Sequence, residues 1–383
     1  MADSFNVIVR RFADFLERPE YDRKKRDMLA LEEKLEGVGI PLRHDFARIW
    51  EPVHVLLELD RTRASGEISG PVLEFGGGNS IVGYMMAASG IETHVLDVDP
   101  AVHEDVQRGA ERAGVSRLLK SSLYNGHEPW PFPDNSFSCL IAVSVYEGLT
   151  TWGRRLFWQE ARRVLVDGGT LLLTFDYGDG ARGVSDPVVS VPGLLELISA
   201  SGLSLVGELP TPPSGAELAA DGPVKLPVST MDGHDLRVLQ YSFGALQLTK
   251  PVGSRPGTEV GFPHTSAVDD LSRALSEELP DALGPVARER HGDVLFAEPD
   301  AKSAWQVVLT DAGVTVRPHA IDDSSYTGFD SVALITNGDL VSLLEGRSDL
   351  WELHYRGKLE LRGDTSLIMR IVGAWQEYRS RPV

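Results

Sequence analysis

Three consecutive glycines, Gly76 to Gly78, directly follow the apolar segment VLEF. Glycine lets a turn adopt positive φ values and lets the backbone approach a ligand closely. Two acids accompany the turn: Glu74 precedes it, and Asp97 follows Gly78 by 19 residues, at the end of a second apolar run. In nucleoside-binding sheets an acid about 20 residues beyond the glycine turn meets ribose hydroxyls. The spacing therefore predicts a nucleoside site.

Glu74 distinguishes two kinds of nucleoside ligand. A dinucleotide fold spells its turn G-x-G-x-x-G and holds a pyrophosphate at a helix N-terminus, but Ile81 occupies the third glycine position here. A carboxylate beside the turn would repel pyrophosphate and attract the ammonium or sulfonium of an amino-acid ligand. The alternative is an acid that only satisfies nearby backbone donors, although an unpaired charge inside an apolar strand is costly. The pattern favours a cationic nucleoside.

If the glycine turn, Glu74 and Asp97 form one site, a sheet must bring them together at one edge. From Gly70 to about Lys250, apolar runs typical of strands alternate with helical segments. This alternation predicts an α/β fold with a mostly parallel sheet that is covered by helices on both faces. Ligands of such sheets bind beyond the carboxyl ends of the strands, where the glycine turn would lie.

The chain is longer than one core usually supports, and we expect it to divide into several parts. Residues 4–60 have helical periodicity, and Asp45 is the expected N-cap of a third helix. A hairpin whose turn contains Asp311 and Gly313 is expected near the C-terminus. The expected parts are an N-terminal helical lid (1–69), the sheet domain (70–250), a proline- and glycine-rich linker (251–265) and an α+β domain (266–383).

Composition argues against several partners. Acidic residues outnumber basic ones, 56 against 37, with a formal charge of -19. Such a field repels phosphate groups, which argues against nucleic acid or an anionic membrane as the main partner. No apolar stretch approaches the roughly 20 residues of a membrane span, and the first residues carry acids, unlike a signal peptide. The single cysteine, Cys139, indicates a buried thiol in a reducing compartment, so we expect a cytoplasmic protein.

Four motifs occur in order between Glu74 and Tyr177. The first two are EFGGGNS, an acid with a glycine-rich turn, and VLDVDP, an acid that ends the next strand. The last two are PWPFPDNSFSCLIAVSVYEGL and WQEARRVLVDGGTLLLTFDY. Together they resemble the class I S-adenosylmethionine-dependent methyltransferases, whose fourth and fifth strands follow a PFPDxSFD segment and a Gly-Gly turn. The resemblance implies a Rossmann-like sheet and S-adenosylmethionine as the cofactor.

The resemblance also implies which part of the cofactor each region binds. The methionine end would lie at Glu74 and the glycine turn, and Asp97 would bind the ribose hydroxyls. The edge from Ser122 to Tyr124 would approach the adenine. The cofactor-binding residues expected on this basis are Glu74, Gly76, Gly77, Gly78, Asp97, Val98, Ser122, Leu123 and Val143.

Three positions depart from the family pattern. Ser122 stands where an acid often contacts the adenine, and Ser138 replaces the aspartate of the SFD segment. Gly148 replaces the histidine of a Glu-His pair, so no histidine at that position can remove a proton. These departures motivate a second hypothesis, a catalytically inactive protein that binds a nucleoside or an apolar ligand. A third, a dehydrogenase, lacks the third glycine of its turn.

Methyl transfer from a sulfonium is an in-line displacement, and a base is required only if the acceptor arrives protonated. Whether oxygen, nitrogen, sulfur or carbon of a small or medium-sized metabolite accepts the methyl group stays open. Four polar residues near the ends of strands are candidates for the base: Tyr146, Glu147, Asp176 and Tyr177. Each also has a structural interpretation, as a core residue, a helix cap or the end of a strand. We expect no metal site.

The N-terminal helices are expected to cover the mouth of the sheet. The segment IPLRHDFARIWEP supplies polar and aromatic groups that could orient a small substrate. The predicted substrate-binding residues are His44, Arg48 and Trp50, and the same segment contains Asp45 and Glu51. The alternative is that Trp50 belongs to the core and that His44 is part of an exposed cap.

The C-terminal segment DSVALITNGDLVSLLEGRSDLWELHYRGKLELRGDTSLIMRI resembles a second family, the sterol-carrier-protein-type lipid-binding domains. A helix capped by Asn337 or Asp339 and ended by Gly346 is expected there. Members of that family enclose an apolar tunnel, although the same residues would serve equally as core. The candidate linings are Leu343, Leu344, Leu359, Leu361, Leu367, Ile368, Met369 and Trp375. The sequence leaves open whether this domain binds substrate or lipid, or forms a homodimer contact.

Overall fold

The structure is a computed structural model that describes residues 5–8, 18–40, 49–66, 68–78, 80–124, 128–149, 151–177, 201–209, 224–225, 238–239, 242–253, 271–298, 303–320, 326, 328–355 and 358–379. Within these ranges the chain forms two main sheets, each packed against helices. No helix in them is both long and apolar enough to cross a membrane.

The first sheet is parallel at its centre and antiparallel at one edge. Its order is β1-β10-β6-β5-β2-β3-β4, with β7 also paired to β10, and β6 to β4 run parallel while β10 is antiparallel to β6. The strands of this sheet are β1 (Val7–Ile8), β2 (Val72–Phe75), β3 (Thr93–Asp97), β4 (Leu119–Leu123), β5 (Phe137–Val143), β6 (Leu165–Tyr177), β7 (Ser204–Leu205) and β10 (Ser242–Thr249). Two further strands, β8 (Val224–Lys225) and β9 (Val238–Leu239), pair with one another in a separate two-stranded sheet.

Helices cover both faces of this sheet, which confirms the predicted α/β fold. They are α1 (Pro19–Gly37), α2 (Trp50–Ala64), α3 (Ile81–Ala88), α4 (Pro100–Arg112) and α5 (Thr151–Val164). Because successive side chains of a strand point to opposite faces, the residues of β5 pack into the hydrophobic cores on both faces of the sheet. Cys139 and Ile141 pack with residues of α1 to α4, whereas Leu140 and Ala142 pack with residues of α5. The Cys139 thiol is completely buried, which raises its pKa well above the usual value.

The start of the chain differs from the predicted helix. Val7 and Ile8 form β1, which pairs antiparallel with Ala245 and Gly244 of β10, so the helical prediction is wrong at these two residues. Both are β-branched and stiff at χ1, which suits an edge strand. The Asn6 side chain fixes the pairing, because it donates to the Val206 carbonyl at 2.6 Å and accepts from the Gln247 N–H at 2.7 Å.

The C-terminal region forms a mixed sheet in the order β13-β12-β11-β14-β15, packed against helices. Short helical turns from Leu271 precede the helix Leu279–Glu289. The predicted hairpin is confirmed, because Thr310 pairs with Gly313 across its turn. The elements are α6 (Leu279–Glu289), β11 (Gly292–Ala297), β12 (Ser303–Thr310), β13 (Gly313–Ala320), β14 (Ser331–Ile335), α7 (Asn337–Leu344), α8 (Leu350–Tyr355), β15 (Leu359–Gly363) and α9 (Thr365–Arg379).

The N-cap of α7 is Thr336, not Asn337 or Asp339 as predicted. Its hydroxyl accepts a hydrogen bond from the Asp339 backbone N–H at 3.1 Å. The helix ends at Leu344, and Gly346 follows with a φ of 67°, as predicted for the glycine that ends it.

The two regions contact one another through α8 and α9. Helix α9 packs against α5 of the first sheet. At the start of α8, the Trp351 indole Nε1–H donates to the Gly148 carbonyl at 2.6 Å. These contacts bring the C-terminal region to the edge of the first sheet where β5 ends.

Candidate functional site

At two glycines of the turn after β2, a side chain would collide with its neighbours. Gly76 has a φ of 62°, and a Cβ there would lie 2.6 Å from a methyl carbon of Val145. At Gly77 a Cβ would lie 2.5 Å from the carboxyl carbon of Glu74. A real Cβ does not approach other heavy atoms so closely, and side chains other than hydrogen are strained at positive φ. The positive φ expected of the turn is therefore observed at Gly76 and Gly78, and close approach of this backbone to a ligand stays a prediction.

Glu74 lies fully buried beneath this turn. Burial raises its pKa to about 7, and hydrogen bonds from the Ser80 hydroxyl and the Gly83 backbone oppose that rise. Ser80 is also the N-cap of α3, where it accepts from the Val82 N–H at 3.2 Å. The carboxylate is thus held by the same residue that starts the next helix, and a nearby cation would favour its charged form.

Asp97 connects the end of β3 to the glycine turn. Its Oδ2 accepts from the Gly78 N–H and its Oδ1 accepts from the Asp99 N–H, each at 3.0 Å. Burial raises the pKa of Asp97, and these backbone hydrogen bonds oppose the rise. Each carboxylate oxygen can accept a further bond, so the arrangement is suited to a ligand that presents hydroxyls.

A cavity of about 230 Å³ lies beyond the carboxyl ends of these strands. It is lined by residues that follow β2, β3, β4 and β5, among them Gly76, Val98, Tyr124 and Val145. Asp97 lines it as well, which brings the two sequence signals, the glycine turn and the acid, to one site. An elongated ligand could therefore extend across the sheet from the turn to the end of β4.

Three of the predicted cofactor residues lie in strands next to this lining. Ser122 pairs with Leu96, Leu123 pairs with Asp97, and Val143 pairs with Thr174. Residues one or two positions farther along the chain, such as Tyr124, line the cavity instead. Beyond β4 and β5 the lining residues follow the strands, whereas Phe75 and Asp97 line the cavity as the last residues of β2 and β3. Cofactor binding by Ser122, Leu123 and Val143 stays a prediction.

Ser144 is a cavity residue that sequence reasoning missed. It follows β5 with a φ of 49°, which is uncommon for a residue with a side chain and marks a constrained backbone. Its hydroxyl donates to Oε1 of Glu51, a completely buried acid on α2. Only Glu51, within the predicted lid segment, offered a sequence signal. A direct contact thus joins an N-terminal helix to the cavity wall.

The four candidate bases cluster near the ends of β5 and β6, and all are buried. Oε1 of Glu147 accepts from the Asp176 N–H at 3.1 Å, which joins two of them. The Tyr146 hydroxyl accepts from the indole N–H of Trp158 at 3.1 Å. Tyr177 is 1% exposed and belongs to the core that contains α5. The catalytic role of each candidate stays a prediction.

The predicted substrate residues are placed only in part. Trp50 is 1% exposed and packs against Phe243, with ring centroids 5.8 Å apart, so its indole lies in the core. His44, Asp45 and Arg48 lie outside the described residues, and α2 is described from Trp50 onward. Substrate binding by these residues therefore stays a prediction.

The parallel sheet, the glycine turn with its buried acid and the acid that ends the next strand are the features expected of a class I S-adenosylmethionine-dependent methyltransferase. Residues 73–173 match the family model of the methyltransferase domain. The chain therefore contains a methyltransferase domain, and S-adenosylmethionine is its methyl donor.

Solved structures with a similar fold include enzymes of different activities. The [4+2]-cyclase SpnF is 18% identical and aligns over 59% of this chain and 93% of its own, with a TM-score of 0.41. Geranyl diphosphate C-methyltransferase from Streptomyces coelicolor A3(2) is 14% identical over 61% and 99% of the two chains, with a TM-score of 0.37. A putative sarcosine dimethylglycine methyltransferase from Galdieria sulphuraria is 14% identical over 59% and 98%, with a TM-score of 0.39. No curated protein matches this chain.

Proposed function

We propose that the protein transfers the methyl group of S-adenosylmethionine to a small or medium-sized metabolite. One observation carries this proposal: a single cavity is lined by Gly76 of the glycine turn, by Asp97 and by the residues that follow β5. In the proposed pose, Glu74 stabilises the cationic methionine end and Asp97 accepts hydrogen bonds from the ribose. The acceptor then meets the methyl group beside Ser144, where α2 and the end of β5 are in contact.

The transfer needs few protein groups. The nucleophile of the acceptor forms a bond to the methyl carbon, the carbon–sulfur bond breaks, and its electron pair stays on sulfur. We propose that the protein mainly orients the two partners and excludes water. If the acceptor arrives protonated, Glu147 and Asp176 are the proposed groups for the proton. The hydrogen bond from the Asp176 backbone N–H to Glu147 Oε1, which joins the two residues near the ends of β5 and β6, supports this choice.

The C-terminal domain is proposed to assist substrate capture or assembly. The candidate tunnel residues, including Leu343 and Trp375, are buried in one core with α6 to α9. A sterol-carrier-type tunnel and a plain core both account for that burial, so the lipid-binding likeness stays a proposal. A homodimer built on this domain is likewise a proposal, which sedimentation velocity tests directly.

A labelled-methyl assay tests the function. The protein is incubated with S-adenosylmethionine that carries a deuterated methyl group and with a metabolite extract, and mass spectrometry searches for products that gain the label. We expect labelled small molecules with the wild type and much less label with Asp97→Ala at the same concentration of S-adenosylmethionine. Glu111→Gln, which changes an exposed acid on α4, is the matched control and should leave the products unchanged.

The assay also distinguishes a methyltransferase from a catalytically inactive protein that binds a nucleoside. A wild type that binds S-adenosylhomocysteine but labels no metabolite would favour a nucleoside-binding protein without turnover. Label found only on macromolecules would contradict the small-molecule proposal.

A further inference from the structure

The C-terminal domain forms part of the cofactor cavity wall. Asp349 and Trp351, which flank the start of α8, line the same cavity as Gly76 and Asp97. We propose that Asp349 and Trp351 bind the adenine ring of S-adenosylmethionine, so that the C-terminal domain completes the cofactor site of the methyltransferase domain. This proposal rests on the proposed roles of the glycine turn and Asp97.

The order of the strands indicates that the adenine lies on the side of the cavity formed by Asp349 and Trp351. S-adenosylmethionine is a linear ligand of methionine, ribose and adenine. If the methionine end lies over the glycine turn after β2 and the ribose at Asp97 after β3, the adenine extends toward the next strand, β4. Tyr124 follows β4 directly, and its N–H donates to the Asp97 carbonyl at 3.1 Å. The adenine would therefore lie beside Tyr124.

Asp349 is close to this position and is held rigidly. It is 6% exposed, and its Oδ1 accepts from the backbone N–H groups of Trp351 at 2.8 Å and Glu352 at 3.2 Å. The negative charge of Asp349 acts on Tyr124, whose pKa is raised first by burial and then by that charge. The amino group of adenine is a donor of the matching kind.

Trp351 provides an aromatic surface in a fixed orientation. Its indole N–H is engaged by the Gly148 carbonyl at 2.6 Å, so the hydrogen bond joins the two domains and fixes the ring. Trp351 also lines the cavity, and bases stack on aromatic side chains with little regard to sequence, so an adenine in the cavity would stack on this indole. Of the residues that line the described cavity, only Asp97 and Asp349 are charged, and one comes from each domain.

The test is calorimetric binding of two ligands. S-adenosylhomocysteine carries the adenine amino group, and S-inosylhomocysteine carries an oxygen in its place. Asp349→Asn keeps a good N-cap residue and removes the charge. We expect it to lower the affinity for S-adenosylhomocysteine about tenfold, 1.4 kcal/mol, and to leave the affinity for S-inosylhomocysteine nearly unchanged. Trp351→Ala should lower the affinity for both ligands alike. Trp351→Phe, which keeps a ring, should recover much of that loss.

Matched controls lie in the same domain but outside the cavity lining. Asp339→Asn removes the same charge from the first turn of α7, and Trp305→Phe alters a tryptophan of β12. Both should bind S-adenosylhomocysteine as the wild type does. Melting temperatures of the ligand-free variants confirm that each is folded.

Two results would overturn the proposal. Folded Asp349→Asn and Trp351→Ala proteins that bind S-adenosylhomocysteine with wild-type affinity would show that these residues do not contact the ligand. Equal weakening of both ligands by Asp349→Asn would show that its carboxylate does not meet the amino group. A wild type that does not bind S-adenosylhomocysteine would instead refute the cofactor site on which the proposal is built.

Discussion

Glu74→Gln should stabilise the ligand-free protein at high pH while it weakens cofactor binding. Burial raises the folded-state pKa of Glu74 from 4.5 to about 7. This difference in pKa lowers the free energy of unfolding by on the order of 3 kcal/mol at a pH where the buried carboxyl group must be charged. Glutamine has nearly the same shape and carries no charge, so the variant avoids this cost.

The pH dependence has a definite sign. Because the folded-state pKa lies above the unfolded value, the cost is absent below about pH 4.5, grows up to about pH 7, and is complete above it. Glu74→Gln and wild type should therefore have similar unfolding free energies near pH 4.5. At pH 8 the variant should be more stable by on the order of 3 kcal/mol, less whatever the amide loses in hydrogen bonding.

Urea denaturation of ligand-free protein from pH 4.5 to pH 8 measures this difference. Glu111→Gln is the control, because an exposed acid should leave the difference from wild type near zero at every pH. Calorimetry with S-adenosylmethionine completes the experiment: wild-type affinity should rise with pH as Glu74 becomes charged, and Glu74→Gln should bind at least tenfold more weakly without that rise. A stability difference independent of pH would refute the account of Glu74 as a buried acid compensated by its ligand.

Three further predictions concern the same site. Asp97→Ala removes the acceptor of the Gly78 and Asp99 N–H groups, and calorimetry should show a loss of S-adenosylhomocysteine binding on the order of 1–3 kcal/mol. Gly77→Ala places a methyl group against the Glu74 carboxyl, and a lowered melting temperature with loss of cofactor binding is expected, whereas an unchanged protein would contradict the close approach. Glu51→Gln keeps an acceptor for the Ser144 hydroxyl, so labelled-methyl turnover should fall less than in Glu51→Ala, and equal losses would mean that the hydrogen bond is not what matters.

The local features of the site could be predicted because they depend on short stretches of sequence. Alternating apolar runs indicated the parallel sheet, and the glycines and acids at 74 to 97 indicated where its ligand lies. Gly76 has the positive φ that was expected of the turn, and Asp97 accepts a hydrogen bond from the Gly78 N–H. Ribose binding by Asp97 stays a prediction. These inferences needed only residue types, spacing and the rule that ligands bind at the carboxyl ends of parallel strands.

Contacts between distant parts of the chain could not be predicted. The Trp351 hydrogen bond to Gly148 spans 203 residues, and Asn6 reaches Gln247 across 241. Periodicity describes which face of an element is apolar, but it does not say which element will cover that face. The strand at Val7 and Ile8 was missed for the same reason, because its partner, β10, lies far along the sequence.

The buried thiol of Cys139 can report how often the strands of the first sheet separate. The chain has one cysteine, and it lies in a central strand where β5 pairs with both β2 and β6. A thiol reagent can modify it only when those strands separate, since the reactive thiolate does not form in a dry interior. The rate of alkylation in native buffer therefore measures how often the methyltransferase sheet opens. A tight ligand in the cavity should slow that reaction without touching the sulfur.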